Sequence, residues 1–233
     1  MSAHRHGDRM QSPISGWRRS PGILASVAGL LLFLLIAAVI IRQDPWTSID
    51  LSALQWLQSR RSQPGIRFFS ALTLLGQPPF LVFLGIAIAL LLLRSRQFVL
   101  FTTWGMALIG GGVMESILKI WIRRPRPELP DPLLHPLTFS LPSGHAMNST
   151  IAYGMLTFIL LTIWKPSRAL TTAIIMMAAL LIAGIGFSRV YLGVHYISDV
   201  VAGFAVGVFW VGLCIALTEF HQHRRNSGKD LQA

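Results

Sequence analysis

Two histidines, one aspartate and a handful of cations in an otherwise apolar chain are the residues able to do chemistry here. His195 and Asp199 are four apart, so on a helix they share a face. A carboxylate there holds one imidazole nitrogen protonated and presents the other as a nucleophile. Asp199 is the only acidic residue between Pro132 and Leu217, so its place one turn from a histidine is informative. His145, at a different helix start, is able to supply a leaving-group proton. Lys119, Arg126 and Arg189 can neutralise the charge that spreads over a phosphoryl group in transfer, arginine through paired hydrogen bonds. Ser143 and Gly144 sit where a helix opens, and free backbone N–H groups and the helix dipole favour an anion there. Pro142 lacks an N–H and fixes the entry into that helix, while Gly144 lets backbone approach a ligand closely.

The elements that must position these residues are membrane helices. Hydrophobic residues make up 53% of the 233 and charged residues 12%, where a soluble chain carries about 25% charged. The charges cluster between long apolar runs, which gives six predicted spans: 22–41, about 72–93, 98–118, 146–164, 169–187 and about 200–217. The first lacks a convincing cleavage site after it and reads as a retained helix. No run alternates as a β-barrel strand would, so the predicted fold is all-α, a six-helix membrane bundle. Pro78 and Pro79 are placed to kink the second span near its start.

Between the first two spans, Leu51, Leu54 and Leu57 recur at helical spacing beside Trp56, Arg60 and Arg61. They predict a short amphipathic helix, either lying on the membrane surface or packed on the bundle. The organisation is then a polar tail (1–20), the membrane domain (21–218) and a second polar tail (219–233), both tails expected to be flexible.

An up-down bundle places the ends of spans three and five and the starts of four and six on one side. Lys119 and Arg126, Ser143 to His145, Arg189, and His195 with Asp199 therefore converge on one face. Lysine and arginine number 11 on the side of the termini and nine on the other, and three of the nine (Lys119, Arg126, Arg189) belong to the polar clusters. The remaining 11 against six favours cytoplasmic termini and a site at the outer face. The formal net charge of +11 suits anionic headgroups or an anionic substrate, and no polar domain offers the groove that a nucleic acid needs.

Several residues have plain readings. Cys214 lies inside an apolar run, and as the single cysteine forms no intrachain disulfide. Gly110 to Gly112 suit a close helix contact. Glu115, four before Lys119, either positions it or makes an ordinary helix pair. Arg123 and Arg124 suit a second phosphate or lipid headgroups equally. His135 and the tail histidines His4, His6, His221 and His223 read as incidental. The carboxylates are too scattered to suggest a metal site, so no metal or other cofactor is expected.

The stretches Lys119-Ile-Trp-Ile-Arg-Arg-Pro-Arg126-Pro127, Pro142-Ser-Gly-His145 and Ser188-Arg189-Val-Tyr-Leu-Gly-Val-His195-Tyr-Ile-Ser-Asp199 together resemble the type 2 phosphatidic acid phosphatase superfamily, in order and in helix placement. The resemblance covers 119–199 strongly and implies roles. His195 would attack phosphorus and form a phosphohistidine, Asp199 would orient it, and His145 would protonate the leaving oxygen and then activate water. Lys119, Arg126, Ser143, Gly144 and Arg189 would hold the phosphate, with Ser188 in support and no metal. The membrane branch of this family acts on lipid phosphates at the outer face of the bacterial or lumenal membrane. That implies a phosphatase of a bacterial cytoplasmic membrane, acting on undecaprenyl pyrophosphate, phosphatidylglycerophosphate or phosphatidic acid. A phosphotransferase using the same residues and a non-catalytic lipid binder or transporter on the same fold are the alternatives; the six spans argue against vanadate-dependent halide oxidation, which soluble relatives perform.

Overall fold

A computed structural model describes residues 21–42, 46–128 and 138–230, with side chains for 21–42, 48–128 and 138–222. The amino-terminal tail, His4, His6 and His135 therefore lie outside the described residues, as does the side chain of His223. The elements are α1 (Pro21–Ile41), α2 (Trp46–Gln58), α3 (Gln63–Thr73), a 3-10 turn (Leu74–Gly76), α4 (Pro78–Arg94), α5 (Phe98–Ile122), α6 (Gly144–Trp164), α7 (Arg168–Tyr191) and α8 (Ile197–Asp230). Every described element is helical, as expected for a chain that must satisfy its own backbone in lipid.

Five of these helices (α1, α5, α6, α7 and α8) are long and apolar enough to cross a membrane. The sixth span is a bent pair, Gln63–Gly76 joined to Pro78–Arg94 at 43°. The prolines do not kink a continuous helix there. They open α4, occupying its first turn, where a missing N–H costs no helical hydrogen bond. Large apolar side chains face outward from the bundle, with Trp121 85% and Ile109 73% exposed. In water such a surface would be a liability, and in a bilayer it is the solvent-facing side.

Helix contact inside the bundle relies on small residues and a few internal hydrogen bonds. Gly22, Ser26, Gly29, Phe33 and Ala37 form the buried stripe of α1. A β-carbon at Gly29 would stand 2.6 Å from both Ala205 O and Phe209 N, so α1 lies backbone to backbone on α8. Gly110 and Gly111 give room to Trp210 and Ile151, the close contact read from sequence, whereas Gly112 meets nothing. Trp210 Nε1 donates to Ala107 O and Trp104 Nε1 to Gly85 O, each at 2.9 Å. Cys214 is fully buried in the main core with Trp104, Met147 and Val206.

Ahead of the bent pair stands one helix, α2, the short helix that Leu51, Leu54 and Leu57 predict. Leu54 on α2 is fully buried against Ala146, Val190 and Val200, while Trp56 is 59% exposed under Arg60. Of the two readings, the packed one holds, because Leu54 seals the end of the bundle. Gln58 Nε2 donates to Val190 O at 2.8 Å, and the hydroxyl of Tyr191 accepts from Ser62 N at 3.0 Å. Ser62 also caps α3 by accepting from Gly65 N. The α2–α3 elbow is thus fastened to the end of α7, over the face where the polar clusters meet. At the other terminus α8 continues to Asp230, past the apolar run that ends at Leu217.

Candidate active site

The ends of α5 and α7 and the starts of α6 and α8 converge as the up-down order requires, and they bring the histidines, Asp199 and the cations together. His195 is not on a helix. It lies in the turn between Tyr191 and Ile197 and is buried, with 2% exposure. Asp199 sits in the first turn of α8, fully buried, and its carboxylate reaches back. Oδ2 accepts from Tyr196 N at 3.0 Å, the reach-back half of a capping box, and it faces His195 Nδ1 at 3.4 Å. The i, i+4 pairing is real, but a helix start rather than a helix face creates it.

Two further donors fix Asp199. Ser140 Oγ makes a short hydrogen bond to Oδ2 and also lies 3.4 Å from His195 Nδ1. Arg124 Nη1 donates to Oδ1 at 2.6 Å. Arg124 thus takes neither role read for it. It is buried, stacked 4.1 Å from the Tyr196 ring centroid, and its Nη2 donates to Asp50 on α2 at 3.0 Å. Arg123 ends α5 in a left-handed conformation and donates from Nε to Ile120 O.

On the other side of the ring, Arg126 Nη1 lies 3.1 Å from His195 Nε2. A guanidinium has no acceptor, so Nε2 must be the nitrogen with the free electron pair and Nδ1 the one carrying hydrogen. The same Nη1 donates to Val194 O at 2.8 Å, and Arg126 Nε donates to Thr138 O at 2.6 Å. The ring therefore presents a lone pair toward a cation, the side from which a phosphate would arrive.

Burial, reinforced by Arg126 and Arg189 and opposed by Asp199, holds the His195 imidazole down at about 4 against an ordinary 6.5. The nitrogen is neutral at neutral pH, as a nucleophile must be. Between pH 6.5 and about 4 only the unfolded chain takes up the proton at this residue, so its contribution to stability is lost as pH falls through that window. The kcat/KM of a reaction in which this nitrogen attacks, corrected for the substrate's own ionisation, is expected to stay level through pH 6 and fall toward pH 4. An acid limb centred near 6.5 would contradict this environment.

Lys119 and Glu115 pair at 2.6 Å, and the second oxygen of Glu115 accepts from Asn148 Nδ2 at 2.6 Å. Glu115 therefore does more than make a helix pair: it ties α5 to the first turns of α6. Gly144 lies directly against that carboxylate, where a β-carbon would overlap it. Ser143 precedes α6 with extended backbone, its N–H donates to Asp199 O, and its hydroxyl makes no capping bond. The N–H groups of the first turn of α6 have no acceptor within the helix. Arg189 is 5% exposed and donates from Nη1 to Thr73 Oγ1 at 2.8 Å. Ser188 Oγ turns back to Ile185 O.

On the site face, four buried polar atoms have no hydrogen-bond partner among the described residues: Ser143 Oγ, His145 Nε2, Ser149 Oγ and Arg189 Nε. A buried polar group left unpaired is costly, and all four belong to α6 or the end of α7 on the site face. The turn at Gly76 backs onto two of their side chains, since a β-carbon there would stand 2.9 Å from Ser149 Oγ and 3.3 Å from His145 Cδ2. Such a constellation can receive a tetrahedral oxyanion between Arg126, Arg189, Lys119 and the start of α6. Among the described residues no three His, Cys, Asp or Glu side chains come together as metal ligands.

Every candidate site residue read from sequence is present on this face: His195, His145, Asp199, Lys119, Arg126, Ser143, Gly144 and Arg189. Sequence reasoning did not find Asp50, Thr73, Ser140, Asn148 or Gly76. Each is a lone polar residue or glycine whose partner is far away in the chain, so no local spacing marks it.

Comparison with known proteins bears on the family and the fold. Residues 98–222 match the model of the PAP2 superfamily. Phosphatidylglycerophosphatase B of Bacillus subtilis (strain 168) is 32% identical over 185 residues, covering 77% of this chain and 88% of that protein. Lipid phosphate phosphatase delta of Arabidopsis thaliana is 31% identical over 116 residues, 46% of this chain but 28% of the plant protein. Among solved structures, the transmembrane PAP2-type phosphatidylglycerolphosphate phosphatase of Bacillus subtilis superposes with a TM-score of 0.74 at 28% identity, covering 83% of this chain and 96% of that one. LpxE of Aquifex aeolicus shares the fold at a TM-score of 0.53 and 24% identity, over 71% of this chain and 93% of its own.

Proposed function

This chain belongs to the PAP2 superfamily, and from that premise we propose that it is a membrane phosphatase that hydrolyses a lipid phosphate or pyrophosphate through a phosphohistidine. The observation that carries the reading is the ring of His195: Nδ1 is backed by Asp199, and the lone pair of Nε2 points to Arg126 at 3.1 Å. A non-catalytic binder has no need of a neutral, oriented imidazole facing a cation.

The steps follow from the residues. The lipid phosphate enters among Arg126, Arg189, Lys119, the Ser143 hydroxyl and the Gly144 N–H, which together receive its charge. His195 Nε2 attacks phosphorus in line, a P–N bond forms, and the bond to the leaving oxygen breaks. His145 gives that oxygen a proton, releasing the lipid alcohol or lipid monophosphate. Water then attacks phosphorus, His145 takes its proton, and the P–N bond breaks to free inorganic phosphate. The cations stabilise the transferring group without a metal. With Lys119, Arg126 and Arg189 set aside, basic residues number 11 on the side of the termini against six on the other, which supports cytoplasmic termini and a site at the outer face of a bacterial cytoplasmic membrane.

The test is phosphate release by the detergent-purified protein from phosphatidylglycerophosphate, undecaprenyl pyrophosphate, phosphatidic acid and a soluble phosphate ester. The Bacillus relative's name puts phosphatidylglycerophosphate first in that panel. Release is expected from at least one lipid, unchanged by a strong chelator and inhibited by vanadate. Labelled phosphate appearing on an acceptor lipid instead of in solution would make the protein a phosphotransferase. Loss in chelator that magnesium restores would overturn the metal-free step.

A further inference from the structure

Asp50 lies on α2, outside the three motif stretches 119–127, 142–145 and 188–199, yet it is 9% exposed and wholly engaged. Its Oδ2 accepts from Arg124 Nη2 at 3.0 Å and from the Ser198 hydroxyl, and its Oδ1 accepts from Ser198 N at 3.2 Å. Arg124, through Nη1, reaches the Ser198 hydroxyl at 2.7 Å and Asp199 Oδ1 at 2.6 Å. The sequence of contacts is Asp50 to Arg124 to Asp199 to His195, every member buried.

We infer that Asp50 is a positioning residue for the reaction, acting through Arg124 to hold Asp199, and so the ring of His195, in the orientation that attacks phosphorus. The inference rests on the phosphohistidine reading above.

Three observations support it. Asp50 and Asp199 share the start of α8 between them: Asp199 takes the Tyr196 N–H and Asp50 takes the Ser198 N–H, so the carboxylates fix that first turn from both sides. Arg124 is held at both ends, and its planar fork is suited to bridging two carboxylates at a set spacing. The surroundings are apolar. Asp50, Arg124 and Ser198 line the polar end of a groove of about 670 Å³ whose other walls include Leu35, Ile36 and Val39 of α1. Charges with so little water around them are costly unless paired, and removing one partner strands the other. If Arg124 served the substrate instead, it would have to leave two carboxylates and the Tyr196 ring. Asp50 therefore keeps this guanidinium out of the phosphate site and on Asp199.

The electrostatic environment makes the inference separable from a folding role. His195 is faced by Asp199 from α8, by Arg126 from the segment after α5, by Arg189 from α7 and by His145 from α6. Arg124 and Asp50 stand one and two contacts beyond Asp199. Removing the negative charge of Asp50 disfavours imidazolium and moves the acid limb of kcat/KM to lower pH. Removing the positive charge of Arg124 moves it to higher pH. A residue that only helped the chain to fold would not shift the limb in opposite directions.

The experiment measures kcat, KM and the pH profile of phosphate release for wild type, Asp50→Asn, Arg124→Gln and the double variant, all in detergent. Asparagine still accepts from Ser198 N but carries no charge. A displacement of order 1 Å at a reacting group costs about 100-fold, so kcat of Asp50→Asn is expected to fall by about 10-fold to 100-fold with KM little changed. The double variant is expected to be no slower than Arg124→Gln alone, since one chain of contacts is cut in both. Wild-type kcat in Asp50→Asn, a loss confined to KM, or losses that multiply in the double variant would overturn the inference. Should Asp50→Asn fail to fold, Arg124→Lys decides: it keeps the charge but cannot bridge both carboxylates, and a wild-type kcat in it would overturn the inference equally. If wild type itself releases no phosphate, the phosphatase reading has failed. An active wild type with an unimpaired Asp50→Asn defeats the positioning role alone.

Discussion

Replacing His195 with alanine is expected to lower kcat by about 10⁴-fold or more, the loss seen when a nucleophile is removed from a unit of interacting groups. The buried ring has few structural duties that would confuse the result. Its contacts are Arg126, which retains Val194 O and Thr138 O, Ser140, which retains Asp199, and Asp199, which retains Arg124, Ser140 and Tyr196 N. The variant should therefore elute and unfold in detergent much as wild type does. It should also still bind vanadate, because Arg126, Arg189, Lys119 and the start of α6 are untouched. Turnover close to wild type would remove His195 as the nucleophile.

Asp199→Asn is expected to have the second largest effect, a fall in kcat of about 10³-fold to 10⁴-fold, by analogy with the orienting carboxylate of a hydrolytic triad. Asp199 accepts from four donors and carries the charge that stabilises a protonated Nδ1. An asparagine must turn its NH₂ toward either Arg124 or the Ser140, Tyr196 and His195 side, and each choice sets donor against donor. Arg124 is then left buried with Asp50 as its only anion. Because none of these groups belongs to the phosphate cradle, KM should change far less than kcat. Steady-state kinetics beside a thermal unfolding curve check this, and a rate within a factor of a few of wild type would contradict the orienting role.

The parts of the site that could be read in the sequence are those where physics forbids ornament. A charge near a bilayer is expensive, so Lys119, Arg126, Arg189 and Asp199 stand out against apolar runs, and the parity of helix ends places them together. Helix starts are legible too, and they mark Ser143 and Gly144. The supporting residues were hidden for the opposite reason. Asp50 meets Arg124 74 positions away, Thr73 meets Arg189 116 away, and Ser140 meets Asp199 59 away. Hydrophobic periodicity says nothing about pairings at such distances. It also ran the second span through Leu72 to Leu93 as one helix, because leucines continue across the break. Only the prolines signalled it, and proline at a helix start looks in sequence like proline at a kink. For Arg124 the sequence leaves a second phosphate and lipid headgroups equally open, because the second arginine of an Arg-Arg-Pro-Arg run resembles its neighbour Arg126. Its partner Asp50, which diverts it, lies on a helix whose docking only packing reveals.

The central claim is that phosphate passes through His195, and a covalent trap tests it most directly. Wild-type protein is mixed with labelled lipid phosphate, quenched within milliseconds in alkali, where a phosphohistidine survives, and digested for peptide mapping. The label should appear on the peptide containing His195, disappear in acid, and be absent from His195→Ala. Phosphate release by wild type with no trapped label, or with label on another residue, would contradict the account.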